Sequence, residues 1–277
     1  MNSKIKTFFF NHENHQPKAQ LFLAFFFTVF TVIALGIDSV FFTNDYFDGR
    51  IIVNVAAIGY FSLLFFSADL ALRKLMLVMV FLSYIGELIF CKLLGMYSYR
   101  TEFIPLYVPF GHAIVYASGY IFAHTNWVVK HEKPLQKFFA VFFILLFLAV
   151  GIFLNDKFSL IFGVLFFVLL KRKHWQNLYY CIALCVIFIE LVGTYFQCWT
   201  WVPKTFEVIP AANPPMGAVF FYAGGDVLLD FLAFQHVAYV ADGSLAVVGS
   251  TQFQVSVDGK TSRGFARLQP FGHRATG

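Results

Sequence analysis

Charged residues are scarce in this chain, and their scarcity excludes an ordinary soluble domain. Only 13% of the 277 residues are charged, against roughly 25% in an average soluble protein. Hydrophobic residues make up 59%, 39 of them phenylalanine, and the mean hydropathy is +0.72. This composition predicts an integral membrane protein, and the formal charge of +5 then indicates contact with a membrane surface rather than with nucleic acid.

Motifs of several common chemistries are also lacking. The sequence contains no GxSxG motif, no nucleotide-binding loop and no DDxxD pair, which argues against a serine hydrolase, a nucleotide-dependent enzyme and a magnesium-dependent prenyltransferase. The four cysteines form no CxxC pair, and the histidines are not arranged as HxxxH or HxxHH. We therefore expect no metal, no cofactor and no disulfide.

Long apolar runs are abundant, and each approaches the length of helix that crosses a bilayer. The sequence predicts an all-α polytopic membrane protein with about eight transmembrane helices. The predicted spans are residues 21–37, 51–70, 75–94, 108–129, 138–154, 158–170, 178–196 and 216–240.

The segments outside these spans are polar. Residues 1–20 are expected to form a cytoplasmic arm ahead of an uncleaved first helix. Residues 241–277 are rich in Gly, Ser, Thr and Gln, and we expect a cytoplasmic tail that is disordered or foreign to the protein.

An internal duplication is the clearest pattern in the chain. The first copy contains Glu87-Leu88, Tyr97-Ser98-Tyr99, Ile104-Pro105, Pro109-Phe110-Gly111, Tyr116-Ala117, Gly119 and His124. The second contains, in the same order, Glu190-Leu191, Trp199-Thr200-Trp201, Ile209-Pro210, Pro215-Met216-Gly217, Tyr222-Ala223, Gly225 and Asp230. The sequence thus predicts two tandem four-helix repeats, at 21–129 and 130–240. Because four is even, both copies should share one orientation, with a pseudo-two-fold axis along the membrane normal.

Lysine and arginine in the connections predict the orientation. Eleven lie on the side of the N-terminal arm and five on the other side. The positive-inside rule then places both termini in the cytoplasm and the loops 95–108 and 197–215 outside. We expect the membrane to be a bacterial inner membrane.

Ionisable residues inside the predicted spans are the candidate site, because they are costly in lipid and usually face an interior cavity or each other. Glu87 and Glu190 stand at matched positions of spans three and seven. Two stripes with four-residue spacing follow them, each along one helix face: His112, Tyr116, Tyr120 and His124 in the first copy, and Tyr222, Asp226 and Asp230 in the second. We interpret the stripes as walls of one polar cavity; the alternative is that these groups only hydrogen-bond across the bundle.

Glycines and the second loop allow further expectations. Gly111, Gly119, Gly217, Gly224 and Gly225 are expected to let helices approach closely. In the loop, Trp199 and Trp201 suit either an aromatic belt at the interface or a stiff re-entrant lid, which its four prolines and Asn213 would support.

A family resemblance follows from the loop residues. Trp199-x-Trp201, then Pro210, Asn213 and Gly217, resembles the W-x-W…P-x-x-N…G tract of the integral-membrane carotenoid-biosynthesis proteins of the acyclic carotenoid hydratase type. Their E-L, Tyr-x-Tyr and I-P-L segments are similar to Glu87-Leu88, Tyr97-Ser98-Tyr99 and Ile104-Pro105-Leu106. The chain departs from the family in having Glu190 alone where the family has an acidic pair followed by Pro.

The resemblance implies a membrane-embedded lyase or isomerase that acts on a lipid or isoprenoid by carboxyl-based acid/base chemistry. Hydration of a double bond begins by protonating carbon, so Glu190 or Asp226 would be the acid and Asp230 would orient the water, with Glu87 in the same catalytic group. The aromatic wall that stabilises the cation would be Tyr116, Tyr222, Trp199 and Trp201. A proton-coupled transporter, a lipid-binding protein and a structural subunit stay open as alternatives, and so does the oligomeric state.

Overall fold

Apolar helices dominate the structure, which agrees with the expected all-α class. The computed structural model describes residues 18–171, 173 and 175–225. The helices are α1 (Lys18–Ile37), α2 (Val40–Asp45), α3 (Arg50–Ser67), α4 (Leu70–Glu87), α5 (Tyr107–Ala123), α6 (Asn126–Lys130), α7 (Glu132–Phe153), α8 (Lys157–Leu170), α9 (Gln176–Tyr195) and α10 (Met216–Gly225). Asp226, Asp230, most of the N-terminal arm and the tail at 241–277 lie outside the described residues.

Five of these helices are long and apolar enough to cross a membrane: α1, α3, α4 with its continuation to Leu93, α7 and α9. Helices α8 and α10 are shorter apolar helices within the described residues. The length and composition of these helices indicate an integral membrane protein.

Helix α5 lies at the centre of the bundle and contacts α1, α3, α4 and α9. Small residues make this possible: a Cβ at Gly119 would lie 2.7 Å from the Cα of Ile182 on α9, so the two backbones touch. A Cβ at Gly217 would lie 2.8 Å from the Cα of Ser159. The close packing expected at these two glycines is confirmed.

The span predicted at 108–129 ends earlier than expected, at Ala123. The Nδ1 atom of His124 lies 2.7 Å from the Tyr120 carbonyl, and the Thr125 hydroxyl donates to the Phe122 carbonyl at 2.8 Å. Side chains of this kind satisfy the last carbonyls of a helix and so compete with its continuation. The chain turns at Thr125 and resumes as the short α6.

The two loops predicted from the duplication pair with each other. Strand β1 (Tyr97–Tyr99) runs antiparallel to β2 (Trp199–Trp201), with Ser98 opposite Thr200. Two backbone bonds extend the pairing, from Arg100 N to the Cys198 carbonyl at 2.8 Å and from Val202 N to the Met96 carbonyl at 3.0 Å. We call this pair the ribbon, and the end of the bundle that carries it the ribbon end.

A second, smaller hairpin follows the ribbon. Strand β3 (Lys204–Thr205) pairs with β4 (Ile209–Pro210). The ribbon and this hairpin were both expected only as loops, because strands of two or three residues leave no periodic signal in the sequence.

Candidate functional site

A cavity of about 400 Å³ lies in the bundle beneath the ribbon. Its wall is largely apolar, and among the described residues no lysine or arginine lines it. The side chains that bring polar atoms to it include Glu87, Glu190, His112, Tyr97, Tyr99, Tyr222, Trp199 and Trp201. Its volume falls in the range of small-molecule sites.

Glu190 projects from α9 and is held by two tryptophans of the ribbon. Its Oε2 accepts hydrogen bonds from the Nε1 atoms of Trp199 at 2.9 Å and Trp201 at 3.0 Å. The carboxyl is 9% exposed, and among the described residues Oε1 has no hydrogen-bond partner. Because an indole N–H can only donate, Oε2 is an acceptor and any proton on this carboxyl is on Oε1.

A glycine on α9 leaves room for the ring of Trp199. A Cβ at Gly193, one turn after Glu190 on α9, would lie 2.0 Å from Cη2 of Trp199. Because Gly193 has no side chain, the Trp199 ring can lie against α9 and reach the carboxylate.

Glu87 ends α4 and is 3% exposed. Its Oε2 accepts from the hydroxyls of Tyr97 at 2.9 Å and Tyr99 at 2.7 Å. Burial raises the pKa of both tyrosines well above the ordinary value, and the charge of Glu87 raises the pKa further, so both hydroxyls keep their protons and donate. Directly after Glu87 the chain widens into a π-helix at Leu88–Leu93, a distortion that is frequent at functional sites.

His112 connects Glu87 to α10. Its Nε2 lies 3.4 Å from Glu87 Oε1 and 3.1 Å from the Tyr222 hydroxyl, while Nδ1 lies 3.0 Å from the Val108 carbonyl. A carbonyl only accepts, so Nδ1 carries a hydrogen, and in the neutral ring Nε2 is the acceptor. Glu87, His112 and Tyr222 thus form a chain along which a proton can be shared.

The two carboxyls are held by residues at matched positions of the predicted duplication. Glu87 is bound by Tyr97 and Tyr99, and Glu190 by Trp199 and Trp201. The donors differ in kind, since one carboxyl faces two phenols and an imidazole and the other faces two indoles.

The predicted site residues divide between cavity and bundle. Glu87, Glu190, His112, Tyr222, Trp199 and Trp201 line the cavity, whereas Tyr116, Tyr120, His124 and Asn213 do not. The Tyr120 and His124 rings stack at 3.9 Å near Trp175, and Asn213 accepts from the Trp201 backbone N–H at 3.0 Å. Asp226 and Asp230 lie outside the described residues.

Helix geometry explains why the residues of the first stripe after His112 lie outside the cavity. Twelve residues of helix rise about 18 Å, so only the His112 end of this stripe can reach a cavity at the ribbon end. Trp199 and Trp201 are buried over Glu190, which places them on the cavity wall rather than in a lipid-facing belt.

A buried ion-pair cluster at the ribbon end is absent from the sequence predictions. Arg100 Nη2 lies 2.6 Å from Asp38 Oδ1 and 3.0 Å from Asp48 Oδ1, and the Tyr107 hydroxyl donates to Asp38 at 2.6 Å. Arg50, which also pairs with Asp48, holds the pKa of that carboxyl below its ordinary value. The sequence signal for this cluster is one acidic residue, Asp38, at the end of the first predicted span and one basic residue, Arg100, in the first loop.

The fold and site define a class: an integral membrane protein with two carboxyls in one aromatic-walled cavity. Comparison with protein-family models, with curated proteins and with solved structures finds no match for this chain. Within the described residues, no group of three His, Cys, Asp or Glu side chains could hold a metal ion.

Proposed function

We propose that this protein is a membrane-embedded enzyme that acts on a lipid or isoprenoid by carboxyl-based acid/base chemistry, such as adding water to a double bond. One observation carries the proposal: two buried carboxyls with different hydrogen-bond partners share a single apolar, aromatic-walled cavity. Pairs of titratable groups in unlike surroundings are the usual arrangement of an acid and a base.

The unlike partners support a division of roles. Two indole donors on Oε2 are compatible with a neutral Glu190 whose proton lies on Oε1, so Glu190 is the proton donor. The two tyrosine hydroxyls that donate to Glu87 favour its carboxylate form. Nε2 of neutral His112 lies 3.4 Å from Glu87 Oε1 and can share a proton with it, so Glu87 and His112 together are the base.

The reaction then balances as follows. The π electrons of the double bond take the Glu190 proton, which forms a C–H bond and leaves a tertiary carbocation that aromatic faces stabilise. Water forms the C–O bond and releases a proton to the Glu87–His112 pair. The net change is addition of water. Before the next turnover the Glu87–His112 pair releases its proton to solvent and Glu190 takes one up, which returns both groups to their starting states. In this proposal Asp226 is a further acid and Asp230 is the base that orients the water, as expected from the sequence.

We also propose that the fold is a tandem duplication of four spans, eight in all, in a bacterial inner membrane with both termini in the cytoplasm. The ribbon register supports it, because a two-fold axis between Ser98 and Thr200 would exchange Tyr97 with Trp199 and Tyr99 with Trp201. The lysine and arginine distribution supports the orientation. Cysteines placed at Asn155 and Lys204 should react with an impermeant reagent from outside only, and labelling from the cytoplasm alone would refute this topology.

The test of function is the lipid and pigment profile of cells with and without this chain. Glu190→Gln, Glu87→Gln and Asp226→Asn should each abolish the product while the protein accumulates normally, because an amide cannot deliver or accept the proton. Glu132→Gln, an exposed change at the start of α7, is the matched control. Unchanged product from well-expressed Glu190→Gln and Glu87→Gln would refute catalysis by this pair.

Proton-coupled transport is the second candidate, favoured by the Glu87–His112–Tyr222 chain of exchangeable protons. A transporter would move its solute without changing it. Isotopically labelled lipid recovered unaltered but redistributed across the membrane, in a Glu87-dependent way, would support transport over catalysis.

A further inference from the structure

The route by which a ligand reaches the cavity can be deduced from exposure. Among the described residues that line the cavity, only Ile85 and Ile89 are exposed, at 53% and 41%. Ile85 lies on α4 and Ile89 on its π-helical continuation, and both line the cavity together with Gly224 of α10. A side chain that faces both the cavity and the outside marks an opening.

The seam between α4 and α10 is closed at one level and open at another. Phe90, on the π-helical continuation of α4, and Phe221 of α10 pack at 4.6 Å between ring centroids. A Cβ at Gly224, one turn further along α10, would meet no atom of the described residues within 4 Å. As far as the structure describes it, the seam therefore has an aromatic contact at Phe90 and open space beside Gly224.

Gly111 provides the same kind of empty space inside the cavity. It lies on α5 directly before His112, and a Cβ there would also meet no atom of the described part of the chain within 4 Å. This differs from the close helix contacts expected at Gly111 and Gly224 from the sequence. The two glycines leave room for a ligand instead.

The charge of the lining restricts what the ligand can carry. Two carboxyls line the cavity, and no lysine or arginine does so among the described residues. An anionic head group would meet like charge at these carboxyls, with His112 as the basic side chain of the described lining, and its binding should therefore be weakened. Among the described residues Glu190 Oε1 has no hydrogen-bond partner, and Glu190 is a buried side chain of the cavity wall, so the uncharged end of a ligand can approach this oxygen.

We propose that the cavity takes the uncharged end of a long apolar chain, the isoprenoid of the proposed function, which enters sideways from the bilayer through the seam between α4 and α10 and lies against the backbone at Gly111 and Gly224. This inference rests on the proposed function and names its substrate class and entry route. The rest of a long chain would stay in lipid, since the cavity holds only one end.

Binding of all-trans-retinol to the full chain in lipid nanodiscs tests this without any turnover. Energy transfer from Trp199 and Trp201 to the polyene reports occupancy, in a background where Trp127 and Trp175 are replaced by Phe. We expect saturable binding, and we expect retinyl phosphate, which has the same chain and a fixed negative charge, to bind about a hundredfold more weakly.

Glycine variants test the fit. Gly111→Leu and Gly224→Leu should each weaken retinol binding by about tenfold or more, because the new side chain fills the space of the ligand. Gly59→Leu is the matched control, since Gly59 is exposed on α3 and its Cβ would also meet nothing within 4 Å. Normal retinol binding by both cavity variants would overturn the proposal, as would equal binding of retinyl phosphate.

Chemical blocking of the seam tests the entry route. Ile85→Cys carrying a bulky maleimide should slow retinol association, whereas the same label on Phe81→Cys, exposed on α4 away from the cavity, should not. Equal rates would refute lateral entry. Glu190→Gln should still bind retinol, so loss of product with intact binding separates the chemistry of the proposed function from this inference.

Discussion

The two tryptophan hydrogen bonds to Glu190 predict a sharp contrast between two substitutions at that position. In Glu190→Gln the amide oxygen can accept both indole N–H groups in place of Oε2, so a neutral acid is replaced by a neutral group with the same acceptor. We expect a loss of under about 1 kcal/mol in stability. In Glu190→Leu both indoles lose their partner while they stay buried.

The size of the second effect follows from the structure. Each buried donor left without an acceptor costs about 1–3 kcal/mol, and two such donors point at Oε2. Glu190→Leu should therefore destabilise the protein by about 2–6 kcal/mol. The predicted order of stability is wild type, then Glu190→Gln close to it, then Glu190→Leu well below.

The four cysteines supply the assay. All are free and buried, so a thiol-reactive fluorophore reports thermal unfolding of detergent-solubilised protein. Trp199→Phe and Trp201→Phe serve as controls, because removing one donor should reduce the penalty of Glu190→Leu in a double-mutant comparison. The stabilising role of the two tryptophan hydrogen bonds is refuted if Glu190→Leu has the melting temperature of the wild type. It is also refuted if Glu190→Gln lowers the melting temperature as much as Glu190→Leu does.

Two further predictions concern stability in the same assay. Gly193→Ala should lower the free energy of unfolding by about 1–3 kcal/mol, because its methyl group would overlap the Trp199 ring. Gly59→Ala should leave stability unchanged or raise it. Equal melting temperatures of the two variants would contradict the close approach at Gly193. Arg100→Met should lower the free energy of unfolding by about 3–5 kcal/mol. The substitution leaves Asp38, which is 1% exposed, as a buried charge without its ion-pair partner. Asp48→Asn, at the exposed end of the same cluster, should cost under about 1 kcal/mol, and a larger loss there than for Arg100→Met would refute the assignment.

Much of the site could be predicted because the sequence carries two kinds of strong signal. Carboxyls are rare in apolar helices, so Glu87 and Glu190 stand out at once, and each is followed by the aromatic pair that binds it. Local spacing was less informative. The stripe from His112 to His124 shares one helix face, yet periodicity does not say how far along the helix a cavity extends.

The sequence by itself determined the membrane class, the apolar helices and the matched glutamate and aromatic positions, because hydrophobicity and residue type are properties of each segment. Only the tertiary structure decided that Tyr97 and Trp201 face each other across a ribbon and that His112 lies between Glu87 and Tyr222. It also decided that, among the described residues, Gly111 and Gly224 border open space while Gly119 touches Ile182. Each of these depends on how two segments far apart in the chain approach one another. That approach is set by the packing of whole helices, which no single segment encodes.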